Sequence, residues 1–210
     1  MTGPTRRRLL GGALSAAAVA SMWPLPARAA KLPATPRQTA GPFYPPTLPA
    51  DADTDLVMVL GRDAPAQGTV LNLAGRVLAA DGRPIDGARV DLWQCDAMGR
   101  YHHPRDGGGA DANFQGFGRM VTGPGGGYGF RTIRPVPYPG RTPHIHFMVA
   151  VPGRDALTTQ MYVAGDPGNA GDFIYGRLSE AQRALVTVAL APSGAEADAL
   201  AGTFDIVLAG

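Results

Sequence analysis

Glycine and proline punctuate this chain throughout, at 29 and 20 of its 210 residues. Such density favours many short strands joined by turns over long helices. Between the breaks, apolar residues recur with a period of two, the mark of strands that bury one face. Leu71-Asn-Leu-Ala-Gly-Arg-Val-Leu reads as one strand, ended by an Asp81-Gly82 turn. Residues 88–95 put Ala88, Val90 and Leu92 on one face and Arg89, Asp91, Trp93 and Cys95 on the other. Residues 117–121 and 128–133 flank a glycine-rich turn and read as a hairpin, while 105–113 read as a surface loop. Residues 144–151, 157–164, 183–190 and 203–208 supply further strands, with a helical turn over 178–184. About eight short strands with turn signals predict an all-β sandwich or barrel. The expectation carried forward is a single β-sandwich with long loops and a Pro-rich N-terminal arm.

The chain divides into three parts. Residues 1–29 hold Arg6-Arg7-Arg8, an Ala-rich apolar run from Leu9 to Met22, and an Ala27-Arg28-Ala29 cleavage site. That pattern predicts a twin-arginine export signal and a periplasmic or secreted protein, with no membrane anchor after cleavage. Residues 30–67 are the Pro-rich arm, either a linker or a segment laid across the domain to bury Phe43 and Tyr44. Residues 68–210 form the sandwich domain. Removing residues 1–29 takes away four arginines and no acid, leaving 15 basic against 17 acidic residues. The basic balance therefore belongs to the signal, and no basic stripe predicts nucleic-acid binding. With Cys95 the only cysteine, neither a disulfide nor a thiolate metal site is available within the chain.

All four histidines fall in two pairs, His102-His103 and His144/His146. The second pair opens an apolar run, so both imidazoles point from one strand face, about 6–7 Å apart along it. From there they can lean onto one metal. Tyr101 and Tyr138 stand near the two pairs in sequence, and a tyrosine becomes a ligand only where a strongly Lewis-acidic ion lowers its pKa. No acidic residue lies within ten positions before His144, which argues against the two-His, one-carboxylate set of ferrous oxygenases. The available donors point to Fe³⁺. An H-x-H zinc or copper enzyme and a non-catalytic prealbumin-like or carbohydrate-binding module are the alternatives.

Several stretches carry a resemblance. They are Pro84-Ile-Asp-Gly-Ala-Arg-Val-Asp-Leu-Trp-Gln94, Gly99-Arg-Tyr101, Gly129-Phe-Arg-Thr-Ile-Arg-Pro135, Arg141-Thr-Pro-His-Ile-His146 and Thr159-Gln-Met-Tyr162. Together with Gln38-Thr-Ala-Gly-Pro-Phe and Phe204-Asp-Ile-Val-Leu208 they resemble the intradiol ring-cleavage dioxygenases, the non-haem ferric family that includes protocatechuate 3,4-dioxygenase and catechol 1,2-dioxygenase. The resemblance implies Tyr101, Tyr138, His144 and His146 as ligands of Fe³⁺, with hydroxide in a fifth position. It implies that Tyr138 leaves the iron when substrate binds and takes a catechol proton. Arg141 would stabilise the carbanion-like ring as it meets O₂, with Gln160 as a pocket amide beside it. The expected partners are a catechol-type small molecule and O₂, and the product is a muconate-type dicarboxylate. His102 and His103 have no such role and are expected at the surface. Only five residues separate Tyr138 from His144, and Gly140 stands where the protocatechuate enzymes have Trp, so the pocket is expected to be open. The helical dimerisation region of catechol 1,2-dioxygenases has no counterpart in this reading. Assembly as a homo-oligomer stays open.

Overall fold

A computed structural model describes Met1 and residues 31–210, so the predicted export signal lies outside the described residues, Met1 apart. The strands are β1 (Val70–Ala79), β2 (Arg89–Trp93), β3 (Phe117–Val121), β4 (Gly127–Ile133), β5 (His144–Ala150) and β6 (Leu157–Val163). After them come helix α1 (Glu180–Val186) and strands β7 (Thr187–Val188), β8 (Ala191–Pro192), β9 (Leu200–Thr203) and β10 (Ile206–Leu208). They form two five-stranded sheets. In the first, β1 pairs antiparallel with β4 on one side and parallel with β9 and β10 on the other. The second runs β3-β2-β5-β6-β7. The all-β sandwich expected from the sequence is the observed fold.

Alternation explains how the sheets meet. Val90 and Leu92 of β2 and Ile145, Phe147 and Val149 of β5 join Leu71, Leu73 and Phe130 of the first sheet in one buried core. Phe147 touches both Tyr128 and Phe204 across the interface, at ring-centroid distances of 5.9 and 5.2 Å. The opposite residues of the second sheet point away from this core. That outer face is also buried, because the segment preceding β1 lies across it.

This segment is not a linker. Leu56 and Val57 are fully buried in the main core, each worth about 1.5–3 kcal/mol of apolar burial. Upstream, the Gln38 amide nitrogen donates to the Thr158 carbonyl at 2.8 Å. Its side chain donates to Thr159 Oγ1 and the Gln160 carbonyl, at 3.1 and 3.0 Å. Tyr44 donates to the buried carboxylate of Asp91, which Arg119 grips with two hydrogen bonds of 2.6 and 2.9 Å. Phe43 is pinned between these two anchors.

Three strand expectations need correction. β3 and β4 do not form a hairpin: β3 pairs with β2 in one sheet and β4 with β1 in the other. The residues between them carry the chain across the sandwich, and at Gly126 a Cβ would stand 2.6 Å from the Val77 carbonyl oxygen. A glycine-rich connection looks the same in sequence whether it turns within a sheet or between two. The first half of the strand expected over 183–190 is helix, because Ser179 and Gln182 close a capping box that starts α1, and only Thr187–Val188 of that stretch is strand. The final strand is broken at Phe204-Asp205, where Asp205 Oδ1 accepts the Arg76 amide and Tyr128 donates to the Phe204 carbonyl. The strand count is accordingly ten among the described residues, two of them only two residues long.

Candidate metal centre

β5 occupies the middle of the second sheet, and its register decides what surrounds the two histidines. His146 is paired with Trp93 on one side and Gln160 on the other, and His144 with Tyr162. Paired residues share a face, so all five side chains lie together on the outer face. Trp93 stacks on His146 with ring centroids 4.8 Å apart and planes 7° apart. The two imidazoles converge, as the i, i+2 spacing predicts, with Nε2 atoms 3.2 Å apart. His144 Nδ1 lies 2.7 Å from the Thr142 carbonyl oxygen and donates to it. Its Nε2 is thereby left with a free lone pair.

The Tyr138-Pro-Gly-Arg141 stretch is a tight turn in which the Arg141 amide donates to the Tyr138 carbonyl at 2.9 Å. Proline at the second position and Gly140, at φ +81, at the third suit a type II turn. The turn folds both side chains back toward His144. Tyr138 Oη is 3.5 Å from His144 Nε2, and Arg141 Nη1 lies 3.2 Å from the same nitrogen. Nothing stands within 4 Å of where a Gly140 Cβ would be, so this side of the site is open.

Tyr101 arrives from the loop after β2, held by a bond from its amide to Asp106 Oδ2 at 2.8 Å. Its ring meets that of Tyr138 edge-on at 5.6 Å. Its hydroxyl is buried with no hydrogen-bond partner, a condition that costs about 1–3 kcal/mol. The structure thus brings Tyr101, Tyr138, Arg141, His144, His146 and Gln160 to one place. His102 and His103 turn away: His102 Nε2 contacts the Asp111 carbonyl oxygen, and His103 Nδ1 accepts from the Arg105 amide.

Burial sets the protonation states here. It holds His144 down at about 4, with the Arg141 charge adding to the effect, and it puts His146 well below the ordinary imidazole range. Both rings are neutral near pH 7 and present lone pairs. Burial also pushes Tyr101 well above the usual phenol value and raises Tyr138, where Arg141 works in the other direction. A phenolate at either position needs a strong cation beside it.

The donor set fits a ferric ion. Two imidazole nitrogens that share one ion at about 2.1 Å each must lie within about 4.2 Å of one another. The observed separation is 3.2 Å. An ion held there would give the orphaned Tyr101 hydroxyl a partner. Among the described residues no cluster of three or more His, Cys, Asp or Glu side chains is placed to hold a metal. A site without the tyrosines would therefore lack ligands.

Two contributors were not among the expected site residues. Asp172 is buried and takes a 2.8 Å hydrogen bond from Arg141 Nε. It lies 31 residues from Arg141, so sequence proximity to the histidines does not reveal it. Phe43 lies flat on Tyr101, and the only signal for it was an aromatic pair in a proline-rich arm. A cleft of about 650 Å³ opens in front of Tyr138 and Arg141, with Gly41, Phe43, Phe173 and Arg177 also on its walls.

The outer side of the second sheet thus gathers two tyrosines, two histidines and an arginine, and comparison with known proteins gives this arrangement its family. The family model described as Dioxygenase matches residues 39–210. The chain is 38% identical over 169 residues to the protocatechuate 3,4-dioxygenase beta chain of Burkholderia cepacia, covering 75% of this chain and 72% of that one. It is 34% identical over 167 residues to hydroxyquinol 1,2-dioxygenase of Nocardioides simplex, covering 69% of this chain but only 56% of that enzyme. Among solved structures, the dioxygenase domain of a dioxygenase carbohydrate-binding fusion from Streptomyces sp. SirexAA-E matches with a TM-score of 0.64 at 33% identity. That match covers 84% of this chain and 98% of the other. The chain belongs to the intradiol ring-cleavage dioxygenase family.

Proposed function

We propose that this protein is a ferric, non-haem dioxygenase that opens a catechol-type ring between its two hydroxyl-bearing carbons. Both atoms of O₂ enter the product, a muconate-type dicarboxylate. The observation that carries this reading is the meeting of His146 Nε2 and Tyr138 Oη at His144 Nε2, at 3.2 and 3.5 Å, beside the partnerless Tyr101 hydroxyl. Tyr101, Tyr138, His144 and His146 would hold the ion. Bound there, ferric iron would supply the Lewis acidity that keeps the phenolates and the diol ionised and the redox chemistry with O₂.

The remaining roles fall to the protein. Tyr138 borders the open cleft and is less buried than Tyr101. Because burial raises its pKa, its ionised form is a strong base, suited to take a proton from the entering diol. Arg141 Nη1 lies beside Tyr138 Oη, and its guanidinium stays charged at any working pH. It faces the place where negative charge grows on the ring, and a fixed cation stabilises such charge most when water is excluded. Gln160 Oε1 accepts from Arg141 Nη2 at 2.6 Å while its nitrogen donates to the Thr39 carbonyl. The amide thus links the arm to the arginine. Charged residues lining the cleft are three arginines, Arg37, Arg141 and Arg177, and no acid. That balance favours a catechol carrying a carboxylate, the kind of substrate that the name of the Burkholderia relative implies. The twin-arginine pattern supports an exported enzyme that meets its substrate outside the cytoplasm.

The deciding experiment loads the purified protein with ferric iron, records its visible spectrum, and follows O₂ uptake with protocatechuate and catechol. Tyrosinate-to-iron charge transfer in the visible and a product heavier than substrate by one O₂ are expected. A colourless iron-loaded protein that consumes no O₂ with either diol overturns the reading.

A further inference from the structure

Every polar atom of the Asp172 carboxylate is committed. Its Oδ2 accepts from Arg141 Nε at 2.8 Å and the Thr142 amide at 3.0 Å. Its Oδ1 accepts from the amides of Ile174 and Tyr175, both at 2.9 Å. The side chain is fully buried and that of Arg141 is 8% exposed. An ion pair in such a setting is held by geometry as much as by charge, because its hydrogen bonds must replace the lost water.

On the arginine, the bonds leave one direction free. Nε is taken by Asp172 and Nη2 by Gln160. Nη1 alone points to the reacting side, 3.5 Å from Tyr138 Oη and 3.2 Å from His144 Nε2. A planar fork fixed at two of its three nitrogens cannot turn. Fixed at Nη2 only, it can pivot, and a buried cation is left uncompensated. The same carboxylate also accepts from the two backbone amides that follow Phe173, over whose ring the Arg141 and Arg177 guanidinium carbons lie at 5.8 and 5.9 Å from the centroid.

We infer that Asp172 is a positioning residue for ring cleavage: it fixes the Arg141 guanidinium so that Nη1 faces the tyrosine and histidine donors, and it holds the Phe173 wall of the cleft against that arginine. The inference rests on the ring-cleavage reading above. It assigns Asp172 no contact with substrate. Its effect passes through Arg141, so it appears in turnover more than in diol binding.

Asp172→Asn keeps the shape and removes the charge, and Asp172→Glu keeps the charge but moves the carboxylate by one methylene. In the iron-loaded protein with catechol, both variants are expected to bind the diol anaerobically within about threefold of the parent. Both should turn over at least about tenfold more slowly, since small misplacements of a catalytic group have effects of about 10². Combined with Arg141→Ala, Asp172→Asn should slow turnover no further than Arg141→Ala does alone. A readout independent of activity is the Arg141 Nε–H resonance in ¹⁵N spectra of metal-free protein, slowly exchanging in the parent and lost or averaged in Asp172→Asn. If the asparagine variant does not fold, the glutamate variant and the parental resonance still decide. Parental turnover in Asp172→Glu, or full additivity with Arg141→Ala, overturns the inference. A parent that cleaves no diol instead refutes the proposed function, while the resonance still tests the tie between Asp172 and Arg141.

Discussion

Phe43 lies flat against Tyr101, with ring centroids 4.5 Å apart and planes 19° apart. It also meets Tyr138 edge-on at 6.3 Å. One arm residue therefore shields both tyrosines, and the arm is part of the site. Phe43→Ala should lower stability by about 1–2 kcal/mol, below the usual figure for truncating a core aromatic because the ring is only half-buried. It should also speed loss of iron to a chelator, by admitting water to Tyr101. Unchanged iron release in that variant would show the stacking to be incidental.

The second arm anchor is electrostatic. Asp91 is fully buried, with Arg119 and Tyr44 as its closest partners. Arg119→Met should cost about 2 kcal/mol, below the usual figure for a broken buried pair because Arg119 is part-exposed and Arg89 stands nearby. For a chain of this size that is a fall in Tm of about 4–8 °C. Tyr44→Phe should cost about 1–2 kcal/mol. Tryptic cleavage at Arg37 and Arg62 should rise in both variants. A parental digestion pattern would mean that the arm is held without this anchor.

Much of this arrangement was legible beforehand, and the failures have physical reasons. The His144/His146 convergence follows from strand periodicity; the Tyr138–Arg141 turn was not among the expectations, although the proline and glycine at its centre suit one. For the face of β2 that carries Asp91 and Trp93, alternation shows only that it lies opposite Val90 and Leu92. It is buried because residues far upstream cover it, and a local pattern holds no information about such cover. Asp172 was invisible for the same reason. The β3–β4 crossing was misread because turn chemistry fixes a change of direction but not the partner strand.

Metal-free protein should be sensitive to mild acid. The His144 pKa is held at about 4 in the fold, against about 6.5 for an unperturbed imidazole. Between those values the unfolded chain binds the extra proton and the folded chain does not, so stability falls as pH drops. The contribution is complete above pH 6.5 and amounts to about 3 kcal/mol lost by pH 4 from this ring alone. Asp172, whose carboxylate is held below the usual aspartate value, loses its contribution only at lower pH. Thermal melts of metal-free protein from pH 7 to 4 should show the decline, and His144→Asn should reduce it, leaving the part due to His146, which is also held below the ordinary imidazole range. A flat parental profile across that window would contradict the assignment of a buried neutral His144.

The arginine-lined cleft predicts substrate preference. Arg177 is exposed, lies over Phe173, and has no ion-pair partner among the described residues. Its charge is free to meet a substrate carboxylate. Arg177→Ala should raise KM for protocatechuate by about three- to tenfold, in keeping with an exposed charge contact of about 1 kcal/mol. KM for catechol, which has no carboxylate, should stay near parental. Added salt should reproduce the same selectivity in the parent, because an exposed charge is screened. Equal effects on both diols would assign Arg177 to the wall and not to recognition.

Arg141 gives the sharpest separation of binding from chemistry. It is not a ligand, and it sits in a four-residue turn with Tyr138 and three residues before His144. Removing it should leave the tyrosine and histidine donors in place, so Arg141→Ala should retain iron and its colour. The diol should still bind, because the donors that receive it are unchanged. What disappears is a cation fixed in advance where charge develops during reaction, and an interaction made mainly in the transition state lowers turnover with little change in binding. The expected loss is about 10²-fold, the scale for removing one preorganised electrostatic donor. Arg141→Lys should recover only part of it. A lysine can supply the charge, but a single ammonium cannot keep the bonds to Asp172 and Gln160 while also facing Tyr138. Stopped-flow mixing that forms the diol complex without O₂ and then admits O₂ reads the two steps apart. If Arg141→Ala forms the complex and decays at the parental rate, the arginine is structural, and Asp172 has nothing to position.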